Sequence, residues 1–216
     1  MAETSRRGGL TRIAAFAAVA GLLAGFAGVY VTGWGAGNAE ARACAAATDQ
    51  AATLKPLAVG EVAAFLPAER AISLSDVAFL DPAGAPVTLS RFAGKTVLVN
   101  LWATWCAPCR QEMPALDRLQ ANEGSDRFEV VAVNIDIGDP AKPEAFLTEA
   151  GIDHLTRWRD PKMAIFNDLK SRGLAFGMPT TLLVDETGCQ LGALHGPAEW
   201  DSPDAVRLIE AAAAKR

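Results

Sequence analysis

The chain has 216 residues, half of them apolar, with 20 Lys and Arg against 25 Asp and Glu for a formal net charge of -5. That length supplies one ordinary domain plus an appendage, and the apolar content suffices for a sizeable core. An acidic balance with no long Lys/Arg block gives no electrostatic footing on a phosphate backbone, which argues against a nucleic-acid partner.

The appendage is N-terminal. No charged residue occurs from Ile13 to Ala39, and the 22-residue stretch 13–34, "IAAFAAVAGLLAGFAGVYVTGW", has Thr32 as its one clearly polar member. As a helix rising about 1.5 Å per residue it covers a hydrocarbon core of roughly 30 Å, so it is read as a transmembrane anchor. A cleaved secretory signal is the rival reading, because Ala39-Glu40-Ala41 and Ala41-Arg42-Ala43 offer small-residue cleavage sites. Against it stands the length of the apolar run, since signal h-regions span only about 7–15 residues. Lipid attachment at Cys44 is disfavoured by its neighbours Ala41 and Arg42. Arg6, Arg7 and Arg12 flank the leading end, while Tyr30 and Trp34 sit at the trailing interface. The positive-inside rule then leaves residues 1–12 in the cytoplasm and the remainder beyond the membrane, where disulfides persist. The expected localisation is single-pass in the inner membrane with a periplasmic domain.

Residues 35–69 read as a juxtamembrane segment packed on that domain, with short helices broken by Pro56 and Pro67. "DVAFLD" (76–81) and "APVTLS" (85–90) flank the turn Pro82-Ala83-Gly84 and predict a hairpin. "KTVLVNLWA" (95–103) is an almost unbroken apolar run, which predicts a strand buried on both faces. A helix follows, with Met113, Leu116 and Leu119 on one side and Pro114 inside it, where a kink is expected. "FEVVAVNID" (128–136) predicts the next strand and 140–152 the next helix, with another helix near 161–170. "TTLLVDETGCQLGALHG" (180–196) predicts two strands turning at Glu186-Thr187-Gly188, before a closing helix from about Ser202 to Ala213. The alternation makes a mixed α/β sheet flanked by helices.

Between the buried strand and the kinked helix lies "TWCAPCR" (104–110), which spaces Cys106 and Cys109 as C-x-x-C. At a helix N-terminus the unpaired amides and the positive end of the dipole favour a thiolate at Cys106, making it the nucleophile of thiol-disulfide exchange and Cys109 the resolving thiol. A zinc clip needs a second close ligand pair, and the chain has only the isolated His154 and His195, so no metal is expected. A staple between such close cysteines closes too small a loop to gain much. Of three possible pairings of four cysteines, the remaining two, Cys44 and Cys189, fit a structural disulfide closing a loop of more than a hundred residues. Glu112, three residues past Cys109, is placed to accept or return a proton, unless it merely complements the helix dipole. With Ala107-Pro108 between the sulfurs there is no cation to over-stabilise the thiolate, which predicts a reductant.

In order, a strand, Trp-Cys-Ala-Pro-Cys, a Pro-containing helix and Gly177-Met178-Pro179-Thr180 before a hairpin resemble the thioredoxin fold over residues 70–216. More narrowly, "VNLWATWCAPCRQEMPAL" (99–116), the helix at 140–152, "GMPTT", the anchor and the outlying Cys44 and Cys189 resemble the TlpA/ResA-like family of membrane-anchored thiol-disulfide oxidoreductases. The resemblance implies a cis Met178-Pro179 bond beside the sulfurs, a substrate surface of Trp105, Met178 and Pro179, and no cofactor beyond the Cys106-Cys109 disulfide. Trp102 is expected in the core. Asn100 stands where thioredoxin has a buried Asp, which places the proton burden on Glu112 or water. The implied function is a reductant in assembly of the cytochrome oxidase copper centre. Its partners would be oxidase subunit II and a Sco-type copper chaperone, with an inner-membrane thiol transporter as electron donor, and a monomer is expected. Reduction of apocytochrome c and non-catalytic copper delivery are the alternatives. A peroxidase is not favoured, because Val99 and Ala103 stand where that chemistry wants Pro and Thr or Ser.

Overall fold

The computed structural model of the chain describes residues 43–214, and the expected anchor at 13–34 lies outside them. Among the described residues no helix is long and apolar enough to cross a membrane. Residues 43–214 belong to one compact unit.

Its elements are α1 (Ala45–Leu54), β1 (Leu66–Pro67), β2 (Ala78–Leu80), β3 (Pro86–Thr88), β4 (Thr96–Trp102), α2 (Ala107–Glu123), β5 (Phe128–Asn134), α3 (Ala141–Glu149), β6 (Trp158–Arg159), α4 (Ala164–Ser171), β7 (Thr180–Val184), β8 (Gln190–His195) and α5 (Pro203–Ala213). They build one mixed sheet in the order β1-β8-β7-β4-β5-β6-β2-β3. β4 lies at its centre. It runs parallel to β5 from Thr96 opposite Phe128 to Trp102 opposite Asn134, and antiparallel to β7 from Val97 opposite Val184 to Leu101 opposite Thr180. Every residue of β4 is buried, as its near-continuous apolar composition requires of a strand covered on both faces.

The two shortest strands carry no sequence pattern of their own. β6 joins β5 to the β2–β3 hairpin through Val133 opposite Trp158 and Leu80 opposite Arg159. Trp158 meets Phe79 and Phe92 edge-on, both at centroid distances of 5.5 Å, which fixes the hairpin against the sheet. β1 pairs antiparallel with β8 at the opposite edge. Gly192 allows this approach, since a Cβ there would run into the Phe65 ring and the Leu66 carbonyl.

Helix α1 buries Ala47, Ala51 and Leu54 and lies against β8 and α5. The fully buried Cys44 just before it is joined by a disulfide to Cys189, which is 145 residues away and immediately precedes β8. Removing such a link from the unfolded chain releases a large loop, worth about 5 kcal/mol on the chain-entropy model. We expect the Cys44→Ala/Cys189→Ala double variant to lose roughly 2–5 kcal/mol in equilibrium urea unfolding. A midpoint unchanged from the parent would remove the disulfide from the structural account.

Candidate active site

Strand β4 delivers the chain to the end of the sheet where the candidate site lies. Two residues after β5, Asp136 holds the loop that follows β4: Thr104 donates its amide to Oδ2 at 3.0 Å and its hydroxyl to Oδ1 at 3.1 Å. Asn134 orients that carboxylate, donating from Nδ2 to Oδ2 at 2.8 Å and accepting the Asp136 amide at 3.1 Å. Asp136 was not singled out from the sequence. Its local signal is a carboxylate two residues past an apolar strand.

Held in this way, the chain turns into α2 with Cys106 as the N-cap, in extended backbone conformation, and Pro108 in the first turn, where a missing amide costs nothing. The Cys106 Sγ accepts the Cys109 amide at 3.3 Å. This is the bond a capping oxygen would make, offered here to sulfur, and it favours negative charge on that atom. The two cysteines are joined as a disulfide. Cys106 is 6% exposed and Cys109 fully buried, so an incoming group has access to Cys106 alone. Trp105, 60% exposed, stands outward beside it, while Trp102 is buried in the core.

The register of β7 brings the second loop to the same end. Thr180 lies opposite Leu101, and because the pair is antiparallel, Met178 and Pro179 extend toward the residues that follow β4. The Met178–Pro179 bond is cis. Thr180 donates its hydroxyl to the Gly177 carbonyl at 2.8 Å, and Gly196 donates its amide to the Pro179 carbonyl at 3.0 Å, so both sides of the bend are braced. Beyond it Phe176 is 73% exposed and meets the His195 ring edge-on at 5.2 Å. Partial burial lowers the His195 pKa, leaving the ring neutral near pH 7. Neither Phe176 nor this use of His195 was visible in the sequence, since only the strand register unites them.

Glu112 is not at the solvent face where a charge would merely complement the helix dipole. It is 2% exposed, directed between α2 and the sheet. Asn100 Nδ2 donates to Oε1 at 2.8 Å, whereas Oε2 accepts the Ala198 amide at 3.1 Å and the Trp200 indole at 3.0 Å. Burial pushes the Glu112 carboxyl up from 4.5 to about 7. The three donors act the other way, and the neighbouring Glu199 adds slightly to the rise. Trp200 escaped the sequence reading, although a buried indole needs an acceptor and a buried carboxyl is a natural one.

Residues 68–208 match the model of the Redoxin family. The chain belongs to that family. It is 38% identical over 108 residues to the thioredoxin-like protein YneN of Bacillus subtilis, covering 49% of this chain and 59% of that one. It is 38% identical over 125 residues to the thiol:disulfide interchange protein HelX of Rhodobacter capsulatus, covering 56% and 66%. With the thiol-disulfide oxidoreductase ResA of Geobacillus thermodenitrificans it shares 32% identity over 118 residues, covering 52% and 62%. The chain thus spans less than two thirds of the length of these curated relatives. Among solved structures, a thiol:disulfide interchange protein DsbE from Chlorobium tepidum matches with a TM-score of 0.56 and 32% identity, over 66% of this chain and 96% of that one. The expected thioredoxin-like α/β fold and the TlpA/ResA-like kinship are borne out.

The environment of Glu112 has a thermodynamic signature. Between its ordinary value of 4.5 and the folded value of about 7, the folded protein binds more protons than the unfolded chain, so stability falls as pH rises through that window. The full effect is about 3 kcal/mol. Urea unfolding at pH 4.5 and pH 8 should show this loss in the parent and its absence in Glu112→Gln. Parallel pH dependence in the two proteins would contradict the assignment.

Proposed function

We propose that the chain is a thiol-disulfide oxidoreductase that reduces disulfides in partner proteins, working beyond the inner membrane and tethered there by residues 13–34. The observation that carries the reaction is the placing of Cys106 as the α2 N-cap, its sulfur accepting an amide, with Cys109 buried one turn further on.

From the dithiol form, the Cys106 thiolate attacks one sulfur of the substrate disulfide. The S–S bond breaks, the second substrate sulfur leaves as a thiolate and takes a proton, and a mixed disulfide to Cys106 remains. Cys109, once deprotonated, attacks the Cys106 sulfur and expels the first substrate thiol. The Cys106–Cys109 disulfide that forms has given up two electrons and two protons. Glu112, near 7 and three residues beyond Cys109 on the same helix, has a suitable affinity to accept the Cys109 proton. Trp105, Met178 and Pro179 form the surface against which an extended substrate segment lies. No further cofactor takes part. Regeneration requires a dithiol donor, for which an inner-membrane thiol transporter is the proposed source.

The proposed role is maintenance of reduced cysteines during assembly of the cytochrome oxidase copper centre, with oxidase subunit II and a Sco-type copper chaperone as substrates. Support comes from the combined "VNLWATWCAPCRQEMPAL" and "GMPTT" motifs with the outlying Cys44 and Cys189. A monomer suits one site that must admit a folded partner.

Cys109→Ser cannot resolve the mixed disulfide and should accumulate it in cells, whereas Cys106→Ser should capture nothing and lose essentially all reduction of insulin. Mass spectrometry of the trapped species checks the partner. Subunit II or a Sco-type protein is the expected capture, and apocytochrome c in its place would shift the role to haem attachment. Stoichiometric copper binding by the reduced chain, without insulin reduction, would overturn the enzymatic reading.

A further inference from the structure

The carboxamide of Asn100 is fully buried and unevenly satisfied. Its Nδ2 donates both to Glu112 Oε1 and to the Thr181 hydroxyl, each at 2.8 Å, while its Oδ1 has no partner among the described residues. That arrangement suits an ionised Glu112, which can only accept. A protonated Glu112 presents the opposite requirement, because its O–H must donate.

The position of the proton follows from the donors. Oε2 faces two groups that can only donate, the Ala198 amide and the Trp200 indole. Protonation therefore falls on Oε1, the oxygen that faces Asn100. If the carboxamide keeps its orientation, an O–H there meets an N–H2 and a buried bond is lost. Turning the amide end for end brings Oδ1 to the same place, where it accepts from both Oε1–H and the Thr181 hydroxyl. Two bonds are made at that end in either orientation. Thr181 permits this because a hydroxyl both donates and accepts.

We infer that Asn100 is a positioning residue that serves both protonation states of Glu112 by reversing its carboxamide, amine toward the carboxylate and carbonyl toward the acid. The inference deepens the reading of Glu112 as the group that takes up and returns a proton, and rests on that reading for its functional meaning. Among the described residues, the Ala198 amide and the Trp200 indole on Oε2 carry no charge. Asn100 of β4 and Thr181 of β7 are neutral, Cys109 is on its own helix, and Glu199 on the following loop has its side chain at the surface, 3.8 Å from Arg118. An Asp in place of Asn100 would add a second carboxyl to the pair and could not donate as a carboxylate. The amide serves both states without a charge of its own.

The test uses the oxidised full chain in detergent, where the disulfide-bonded cysteines do not titrate. With 13C-labelled Glu and 15N-labelled Asn, the Glu112 carboxyl and the Asn100 side-chain amide resonances should move with one common midpoint between pH 5 and 9. The cross-relaxation from the Asn100 amide protons to Thr181 should be lost on the acid side. The inference is overturned if Glu112 titrates while the Asn100 resonances and contacts stay fixed. The catalytic reading is judged apart from this by whether Glu112→Gln alters the pH profile of insulin reduction, so either idea can fail alone.

Discussion

The confinement of β4 between β5 and β7 is the constraint on which the site depends. Paired along both edges and buried on both faces, the strand cannot slip by one residue without exchanging the two sets of side chains it packs. Its register therefore fixes Asn100 opposite Thr181 and delivers Thr104 to Asp136 at the strand's carboxyl end. From there the start of α2 is determined, and with it the positions of Cys106, Cys109 and Glu112. Ligand sites in open α/β sheets commonly lie beyond the carboxyl ends of central strands, because there the backbone leaves the ladder and helix N-termini converge. In this chain the same edge gathers the Pro179 bend, from which β7 departs antiparallel to β4.

The polar groups beneath the cysteines would be costly in isolation. A buried carboxyl without partners loses several kcal/mol of solvation, and three protein donors recover only part of it, which is why burial still dominates the proton affinity of Glu112. The network has a further structural consequence. Glu112 of α2 is bonded to Asn100 of β4, and to Ala198 and Trp200 in the loop before α5, so one carboxyl fastens a central strand, the site helix and the C-terminal loop together.

Much of the architecture was legible because burial writes itself into composition. β4, β5, β7 and β8 are long enough to show apolar runs, and the C-x-x-C with its following helix signals its chemistry through spacing alone. β1 and β6 were not legible, since strands of two residues have no periodicity and exist because Gly192 and Trp158 let neighbouring segments close on the sheet. The site was read unevenly for a related reason. Cys106 and Cys109 are three positions apart in sequence, whereas Asp136, Trp200 and Phe176 reach the site through strand register and loop return. Glu112 could be named as a candidate from its place on the helix, but its burial depends on contacts 12 and 86–88 residues away. Asn100 was noticed as a missing acid, and the structure gives it a positive part as the donor to the acid that is present.

Two electrostatic influences of opposite sense meet along α2. The helix N-terminus favours a negative sulfur at Cys106, and an ionised Glu112 disfavours one at Cys109. Side chains three apart on a helix have Cβ atoms about 5–6 Å from each other, so at an effective dielectric of about 20 the repulsion between two such charges is roughly 3 kcal/mol. That exceeds the helix-dipole contribution, which reaches about 2 kcal/mol in favourable partly buried geometries. The order of events on the proposed pathway follows from this difference. Cys106 can ionise whichever form Glu112 takes, being closer to the helix terminus and to solvent. On that pathway, transfer of the Cys109 proton to Glu112 removes the repulsion as the resolving thiolate forms. In the proposed reaction the buried carboxyl thus acts on the resolving step, and the helix terminus on the attacking one.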